Sequence, residues 1–198
     1  MLELVLASTS PRRRQLLEQA GYVFHTFPVK VSETLKKNLN LTEQIEDLAR
    51  RKAQAFLQGS NLATNQGFLV IAADTVVTLN NVILGKPKDK KMAEKYLRDL
   101  SGARHSVITG VCLVDTVSKR EITFHDLTMV EFHTLNEEQI SQYIESGEGF
   151  DKAGGYGIQG AAGVFVKNYI GSFSNVVGLP MEKLEQVMLQ NGWYVSRK

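Results

Sequence analysis

The chain has 198 residues, of which 43% are hydrophobic and 22% charged, and this length allows one large domain or two closely joined lobes. A formal net charge of only +2, without a long basic run, argues against nucleic acid as a partner. The single cysteine, Cys112, excludes an internal disulfide, and its apolar neighbours predict a small buried residue. Because no stretch is apolar over the ~20 residues that span a bilayer and no signal peptide pattern is present, we expect a cytoplasmic protein with no membrane partner.

Strand and helix patterns alternate through the first half of the chain. Residues 2–7 predict a short buried strand. A helix is expected over residues 11–20, with Ser10 as its N-cap and Pro11 as its first residue. An alternating strand at residues 22–29 is followed by a second helix that begins at Thr42. The apolar positions of this helix recur on one face, at Ile45, Leu48, Ala49, Ala53 and Phe56. The uninterrupted apolar run at residues 68–73 is typical of a central strand that is covered on both faces.

The second half continues the alternation, beginning with an Asn-Asn turn at residues 80–81 that returns the central strand through residues 82–84. The remaining patterns predict a helix at residues 88–100, two long paired strands at residues 104–115 and 121–133, and a helix at residues 136–145. A glycine-rich segment at residues 147–163, a strand at residues 164–170 and a last helix at residues 181–190 follow. This order predicts a mixed α/β fold with helices over an extended sheet.

The first candidate site is the start of the first helix, where Arg12, Arg13 and Arg14 occupy the first turn. The helix dipole is already positive at this end, so three cations there favour a strongly negative ligand such as phosphate. Helical spacing places Arg13 over the apolar stripe, Arg12 at its rim and Arg14 towards solvent. Ser8 adds a hydroxyl group where the preceding strand ends, which is a frequent ligand position in α/β sheets. An anion site and an ordinary basic surface helix both stay open from this segment alone.

Two further residues suggest chemistry on charged groups. Asp74 ends the apolar strand, a position that suits a metal ligand or a general base. The alternative for Asp74 is a loop cap or a partner for a nearby lysine, and function is favoured. Lys86 is followed by Pro87, which would hold the ammonium in one place as a point charge for phosphate. The segment is not a P-loop, and a solvated turn is the favoured interpretation for Lys86 by itself.

The glycine-rich segment at residues 147–163 would let the backbone approach a ligand closely. Within it, Tyr156 offers a stacking face and Gln159 an amide that can pair with both donor and acceptor edges of a base. Glu33, in a loop, is a candidate second metal carboxylate. Lys52 lies in a basic cluster of the second helix, and such clusters are mostly solvated.

Together, these segments resemble the Maf family of nucleotide pyrophosphatases. The resemblance covers nearly the whole chain and rests on motifs in matching order at residues 6–8, 10–13, 73–77, 85–87, 101–102, 109–110, 151–154, 156–160 and 175–180. It implies a layered α/β/α structure on an elongated mixed sheet with a deep cleft, related in fold to the inosine triphosphate pyrophosphatases. Residues 1–198 would then form a single domain, with two lobes around a central cleft as one arrangement.

The resemblance implies hydrolysis of a nucleoside triphosphate to the monophosphate and pyrophosphate, with Mg²⁺ or Mn²⁺ as cofactor. It implies that Asp74 accepts a proton and that the metal carboxylates are Glu33 and Asp74. The implied phosphate or substrate contacts are Ser8, Arg12, Arg13, Lys52 and Lys86. The implied specificity positions are Arg12, Thr75 and Gln159.

The Tyr-Gly-Ile-Gln-Gly form of residues 156–160 resembles the subgroup that acts on dTTP and UTP rather than the subgroup that acts on 7-methyl-GTP. The resemblance also implies action on modified pyrimidine triphosphates and a link to cell-division arrest. The alternative is a regulatory protein that binds a nucleotide without hydrolysing it, which would need the arginines but not Asp74. The preferred metal and the oligomeric state stay open, with a homodimer among the options.

Overall fold

The computed structural model describes residues 2–36, 38–60 and 67–198. Thirteen helices and strands alternate along this part of the chain: β1 Glu3–Leu6, α1 Pro11–Gln19, β2 Phe24–Thr26, α2 Leu41–Gly59, β3 Phe68–Leu79, β4 Val82–Leu84, α3 Lys90–Leu100, β5 Arg104–Asp115, β6 Glu121–Phe132, α4 Glu137–Ser146, β7 Val166–Ile170, α5 Phe173–Val177 and α6 Met181–Gln190. Two short 3₁₀ helices lie in the glycine-rich segment, at Ala153–Gly155 and Ala161–Phe165. The α/β class is confirmed, whereas the short helix α5 was not predicted.

Within the described residues, seven strands form one mixed sheet in the order β2-β1-β3-β5-β6-β7, with β4 paired to β3. Strand β1 is parallel to both β2 and β3, while β4 is antiparallel to β3 and β7 is antiparallel to β6. The predicted extended mixed sheet is therefore confirmed. None of the helices that the structure describes is long and apolar enough to cross a membrane.

The chain divides into two compact units, each assembled from separate segments. The first unit contains Met1–Asp74, Thr109–Asp126 and Gly178–Lys198, and the second contains Thr75–Ile108 and Leu127–Val177. Strands β3, β5 and β6 contribute residues to both units. Because the chain passes from one unit to the other inside these strands, no linker sequence marks the boundary there. The predicted single domain with two lobes around a cleft stays a prediction.

Helix α2 forms the core of the first unit with neighbouring strands. The predicted apolar face is buried at every position, namely Ile45, Leu48, Ala49, Ala53 and Phe56. Asn40 caps the helix in a capping box with Glu43, so α2 begins at Leu41 rather than at Thr42. A Cβ atom on Gly110 of β5 would lie 2.6 Å from the Ile45 carbonyl carbon, so the close packing of α2 requires glycine there. Cys112 is fully buried, as predicted, and burial raises the pKa of its thiol to about 12.

Strand β3 extends further than the sequence pattern predicts. The Asn80-Asn81 turn has φ angles of 49° and 63°, which are the left-handed values that a tight hairpin needs. It returns the chain as β4, and the pairs Val77–Leu84, Thr78–Ile83 and Leu79–Val82 continue the ladder. Asp74 therefore lies inside β3, and its predicted place at the end of the strand is wrong.

An aromatic cluster of His105, Phe132 and Tyr156 lies in the core of the second unit. The rings pack edge to face, with centroids 4.8–5.4 Å apart, and His105 Nε2 lies 2.6 Å from the Tyr156 hydroxyl oxygen. Tyr156 is only 5% exposed. Its predicted role as a stacking face for a base is therefore wrong, because its ring is covered by this cluster.

Burial of His105 predicts an acid-sensitive step in stability, since burial lowers its pKa from 6.5 to about 4. Between these values the unfolded chain binds a proton that the folded chain does not, so stability falls as pH falls through this window. We expect this histidine to contribute a loss of about 3 kcal/mol between pH 7 and pH 4. In His105→Gln the loss should be absent, because the amide does not titrate. Urea unfolding at several pH values measures how the free energy of unfolding depends on pH in the wild-type protein and in His105→Gln. The variant His25→Gln, at an exposed histidine, is the control.

Identical pH slopes for the wild-type protein and His105→Gln would contradict this assignment.

Candidate active site

Arg13 is a buried cation at the N-terminus of α1. The helix begins as predicted, with Pro11 in its first turn and the Ser10 side chain accepting a hydrogen bond from the Arg13 backbone N–H. The Arg13 residue is 8% exposed. Its Nε donates a hydrogen bond to the Gly178 carbonyl oxygen at 2.7 Å, and its Nη1 donates to Ser8 Oγ at 3.3 Å. The guanidinium is thus anchored between the strand end that carries Ser8 and the segment that precedes α6.

The other two arginines of this turn have different surroundings. Arg14 has a side chain 60% exposed and pairs only one turn away, with its Nε 3.3 Å from Glu18 Oε1. Arg12 is half-buried. The predicted order of exposure around α1 is confirmed, and it makes Arg13 the inward-facing cation.

Lys52 of α2 joins two carboxylates in the first unit. Its Nζ lies 2.5 Å from Asp74 Oδ1 and 3.7 Å from Glu33 Oε1. The Lys52 and Asp74 side chains are 13% and 14% exposed, whereas the Glu33 side chain is 62% exposed. The expectation that Lys52 is a solvated member of a basic cluster is wrong, because its position on α2 directs it to β3. The lysine pairing considered as the alternative for Asp74 is present, and it gives a largely buried side chain a hydrogen-bonding partner.

These groups also act on Arg13 electrostatically. Burial lowers the pKa of the Arg13 guanidinium, and Arg12 lowers it further, while the charges of Asp74 and Glu33 oppose the decrease. Arginine nonetheless stays protonated in proteins. The first unit therefore brings together three basic side chains (Arg12, Arg13 and Lys52) and two acidic ones. This excess of basic groups beside a helix N-terminus suits an anion such as phosphate.

The remaining candidate residues lie in the second unit. Thr75 is half-buried in β3, while Lys86 and Gln159 are exposed. The Gly154 N–H donates to the Gly85 carbonyl oxygen at 3.1 Å, so the Lys86 loop contacts the glycine-rich segment. Gly154 has a φ of +71°, and a Cβ atom there would lie 2.9 Å from a Val77 side-chain atom. Glycine is required at this contact by both backbone conformation and space.

Glu33 and Asp74 are the two carboxylates of the first unit that the sequence predicts as metal ligands. Both contact the Lys52 ammonium, Glu33 from the loop between β2 and α2 and Asp74 from β3. Mg²⁺ prefers hard oxygen ligands and is commonly held by one or two carboxylates together with substrate phosphates and water. The pair therefore fits a metal that is bound together with a phosphate-bearing substrate. In the described ranges, no group of three or more His, Cys, Asp or Glu could hold a metal ion.

Two contacts near these residues were not predicted from the sequence. The Gly178 carbonyl group accepts a hydrogen bond from Arg13. No side chain marks this acceptor in the sequence, although Gly178 belongs to the motif at residues 175–180. Asp47 and Arg51 pair across one turn of α2, with Asp47 Oδ2 3.0 Å from Arg51 Nε. Their i,i+4 spacing was the available signal for that pair.

Comparisons with known proteins extend over both units. The family model described as Maf-like protein matches residues 3–191. A dTTP/UTP pyrophosphatase of Bdellovibrio bacteriovorus is 47% identical over 185 residues, covering 93% of this chain and 96% of the relative. Relatives of the same name from Pelotomaculum thermopropionicum and Bacillus pumilus are 44% and 43% identical, covering 98% and 95% of this chain and 100% and 96% of their own lengths. Every candidate site residue lies within the matched range.

Proposed function

Since this chain belongs to the Maf family, we propose that it is a nucleoside triphosphate pyrophosphatase that hydrolyses dTTP and UTP to the monophosphate and pyrophosphate. The substrates follow the printed names of its relatives. The observation that carries the proposal is the Lys52–Asp74 pair in the same unit as buried Arg13. This arrangement supplies fixed cations for a polyphosphate and a carboxylate that can accept a proton.

Arg13 and Lys52 would bind and stabilise the triphosphate. Arg13 is held by Ser8 and Gly178, so its guanidinium needs little reorganisation when the phosphates arrive. The positive end of the α1 dipole favours the same anion. Positioning and charge stabilisation, rather than covalent catalysis, would account for most of the rate.

Asp74 would act on the attacking water. The water oxygen forms a bond to the α-phosphorus, the bond from that phosphorus to the bridging oxygen breaks, and pyrophosphate leaves with the bonding electron pair. The proton released by the water passes to the Asp74 carboxylate. Lys52 would orient that carboxylate before attack, because its Nζ lies 2.5 Å from Asp74 Oδ1.

Glu33 and Asp74 would hold a divalent cation, for which Mg²⁺ and Mn²⁺ are the proposed ions. When bound, the cation would neutralise phosphate charge and lower the pKa of water. Metal dependence is part of this proposal.

The roles of Thr75, Lys86 and Gln159 stay predictions from the family resemblance. The exposed amide of Gln159 has the donor and acceptor groups that pairing with a uracil or thymine edge requires. Action on modified pyrimidine triphosphates and a link to cell-division arrest stay predictions as well.

A substrate panel distinguishes hydrolysis from the regulatory alternative. Purified protein is incubated with Mg²⁺ and, in separate reactions, dTTP, UTP, dCTP and dGTP, and released pyrophosphate is quantified. The proposal expects catalytic turnover, fastest with dTTP and UTP. The regulatory alternative expects saturable binding of the same nucleotides without pyrophosphate release, which would overturn the proposed activity.

A further inference from the structure

Glu33 lies in a segment without helix or strand, between β2 and α2, and its exposed side chain does not itself anchor the segment. The anchoring contacts come from the backbone on either side of it. Arg51 Nη2 donates to the Thr34 carbonyl oxygen at 2.9 Å, and Arg51 Nη1 donates to the Ser32 carbonyl oxygen. The Arg51 guanidinium therefore donates hydrogen bonds to both residues that flank Glu33.

Arg51 is in turn held by a buried carboxylate one helical turn earlier. Asp47 is 6% exposed, and its Oδ2 accepts from Arg51 Nε at 3.0 Å. The other oxygen, Oδ1, accepts from Lys36 Nζ at 2.7 Å, and Lys36 belongs to the same segment as Glu33. Burial raises the pKa of Asp47, but the hydrogen bonds from Lys36 and Arg51 outweigh burial and leave it below its ordinary value. Asp47 is thus an ionised anchor with a cation on each oxygen.

Lys52, which follows Arg51 on α2, contacts Glu33 and Asp74. Helix α2 therefore fixes both partners of Glu33: Arg51 holds the backbone around it, and Lys52 faces its carboxylate at 3.7 Å. The arrangement needs the planar guanidinium, because a lysine ammonium on a single stem cannot contact Asp47 and both carbonyl groups in the same geometry.

We propose that Arg51 and Asp47 are positioning residues, which clamp the segment at residues 32–34 and hold the Glu33 carboxylate beside Lys52 and Asp74. This role rests on the proposed function, since it assigns Glu33 to metal and substrate binding. Neither residue touches the substrate. Their effect reaches the reaction only through Glu33.

Arg51→Lys tests the clamp while preserving the charge. The Mg²⁺ concentration that gives half-maximal activity should rise by about 10-fold, in the range seen when an outer partner of a metal ligand is altered. Amide hydrogen exchange at residues 32–35 of the nucleotide-free protein should become faster. Asp47→Asn should change both measurements in the same direction.

Arg50→Lys is the matched control, because it is the same chemical change at the neighbouring position. Arg50 Nε instead contacts Glu121 Oε1, at 2.7 Å. This variant should keep the wild-type Mg²⁺ requirement and the wild-type exchange at residues 32–35. Equal melting temperatures for the two lysine variants would exclude a general loss of stability as the cause.

A double-mutant cycle tests whether Arg51 acts through Glu33. In a Glu33→Gln background, Arg51→Lys should produce little further increase in the Mg²⁺ requirement. A full additional 10-fold increase, or unchanged exchange at residues 32–35 in Arg51→Lys, would overturn the proposal. Absence of pyrophosphate release by the wild-type protein would overturn the proposed function and the catalytic part of this role. The exchange measurement would still decide whether Arg51 clamps the segment.

Discussion

Asp74→Asn is expected to reduce the rate of pyrophosphate release from dTTP by about 10³-fold, within the range attributed to general-base catalysis. Asparagine preserves the size of the side chain but cannot accept the proton of the attacking water. It also removes the ion pair with Lys52, whose ammonium lies 2.5 Å from Asp74 Oδ1. Steady-state kinetics at saturating dTTP and Mg²⁺ measures the loss as a decrease in kcat.

Asp99→Asn provides the control for this substitution. Asp99 pairs on α3 with Lys95, 2.5 Å away, so the variant also loses a carboxylate–lysine contact, but on the surface of the second unit. Its kcat should equal that of the wild-type protein. A kcat for Asp74→Asn within threefold of wild type would remove Asp74 from the proton transfer.

The second large effect is expected from Arg13→Met, which should lower kcat/KM for dTTP by about 10²- to 10³-fold. The variant loses the buried guanidinium proposed to stabilise phosphate charge. It also leaves the Gly178 carbonyl without its hydrogen bond from Nε, which should lower the free energy of unfolding by about 1–3 kcal/mol. Kinetics and urea unfolding together separate the two effects.

Arg14→Met makes the same change one position further along α1. Arg14 is exposed and pairs with Glu18, in a class of surface contact worth about 0.3–0.5 kcal/mol. Its activity and stability should stay close to wild type. Equal losses of kcat/KM in Arg13→Met and Arg14→Met would show that the net charge of α1 matters rather than the inward position of Arg13.

Local patterns predicted the longer helices, because their signals lie within a few residues, whereas the short helix α5 was not predicted. Ser10 and Pro11 predict where α1 begins, and the 3.6-residue period correctly separates buried Arg13 from exposed Arg14. The same period predicts the buried face of α2. Resemblance to a family, by contrast, was needed to connect these elements to a reaction.

Two of the wrong predictions concern contacts between residues far apart in the chain. The pairing of Lys52 with Asp74 depends on how α2 packs against β3, which no local pattern specifies. Tyr156 was expected to be available to a base, but it pairs with His105, 51 positions earlier. The clamp around Glu33 is equally hidden, because two of its acceptors are backbone carbonyl groups that any residue carries.

The most direct test of the central claim is hydrolysis of dTTP in water labelled with ¹⁸O, followed by mass spectrometry of both products. Attack of water on the α-phosphorus, with Asp74 as proton acceptor, predicts one labelled oxygen in the thymidine monophosphate and none in the pyrophosphate. Asp74→Asn should yield neither product at a comparable rate. Label in the pyrophosphate, or release of orthophosphate with thymidine diphosphate, would contradict the proposed reaction.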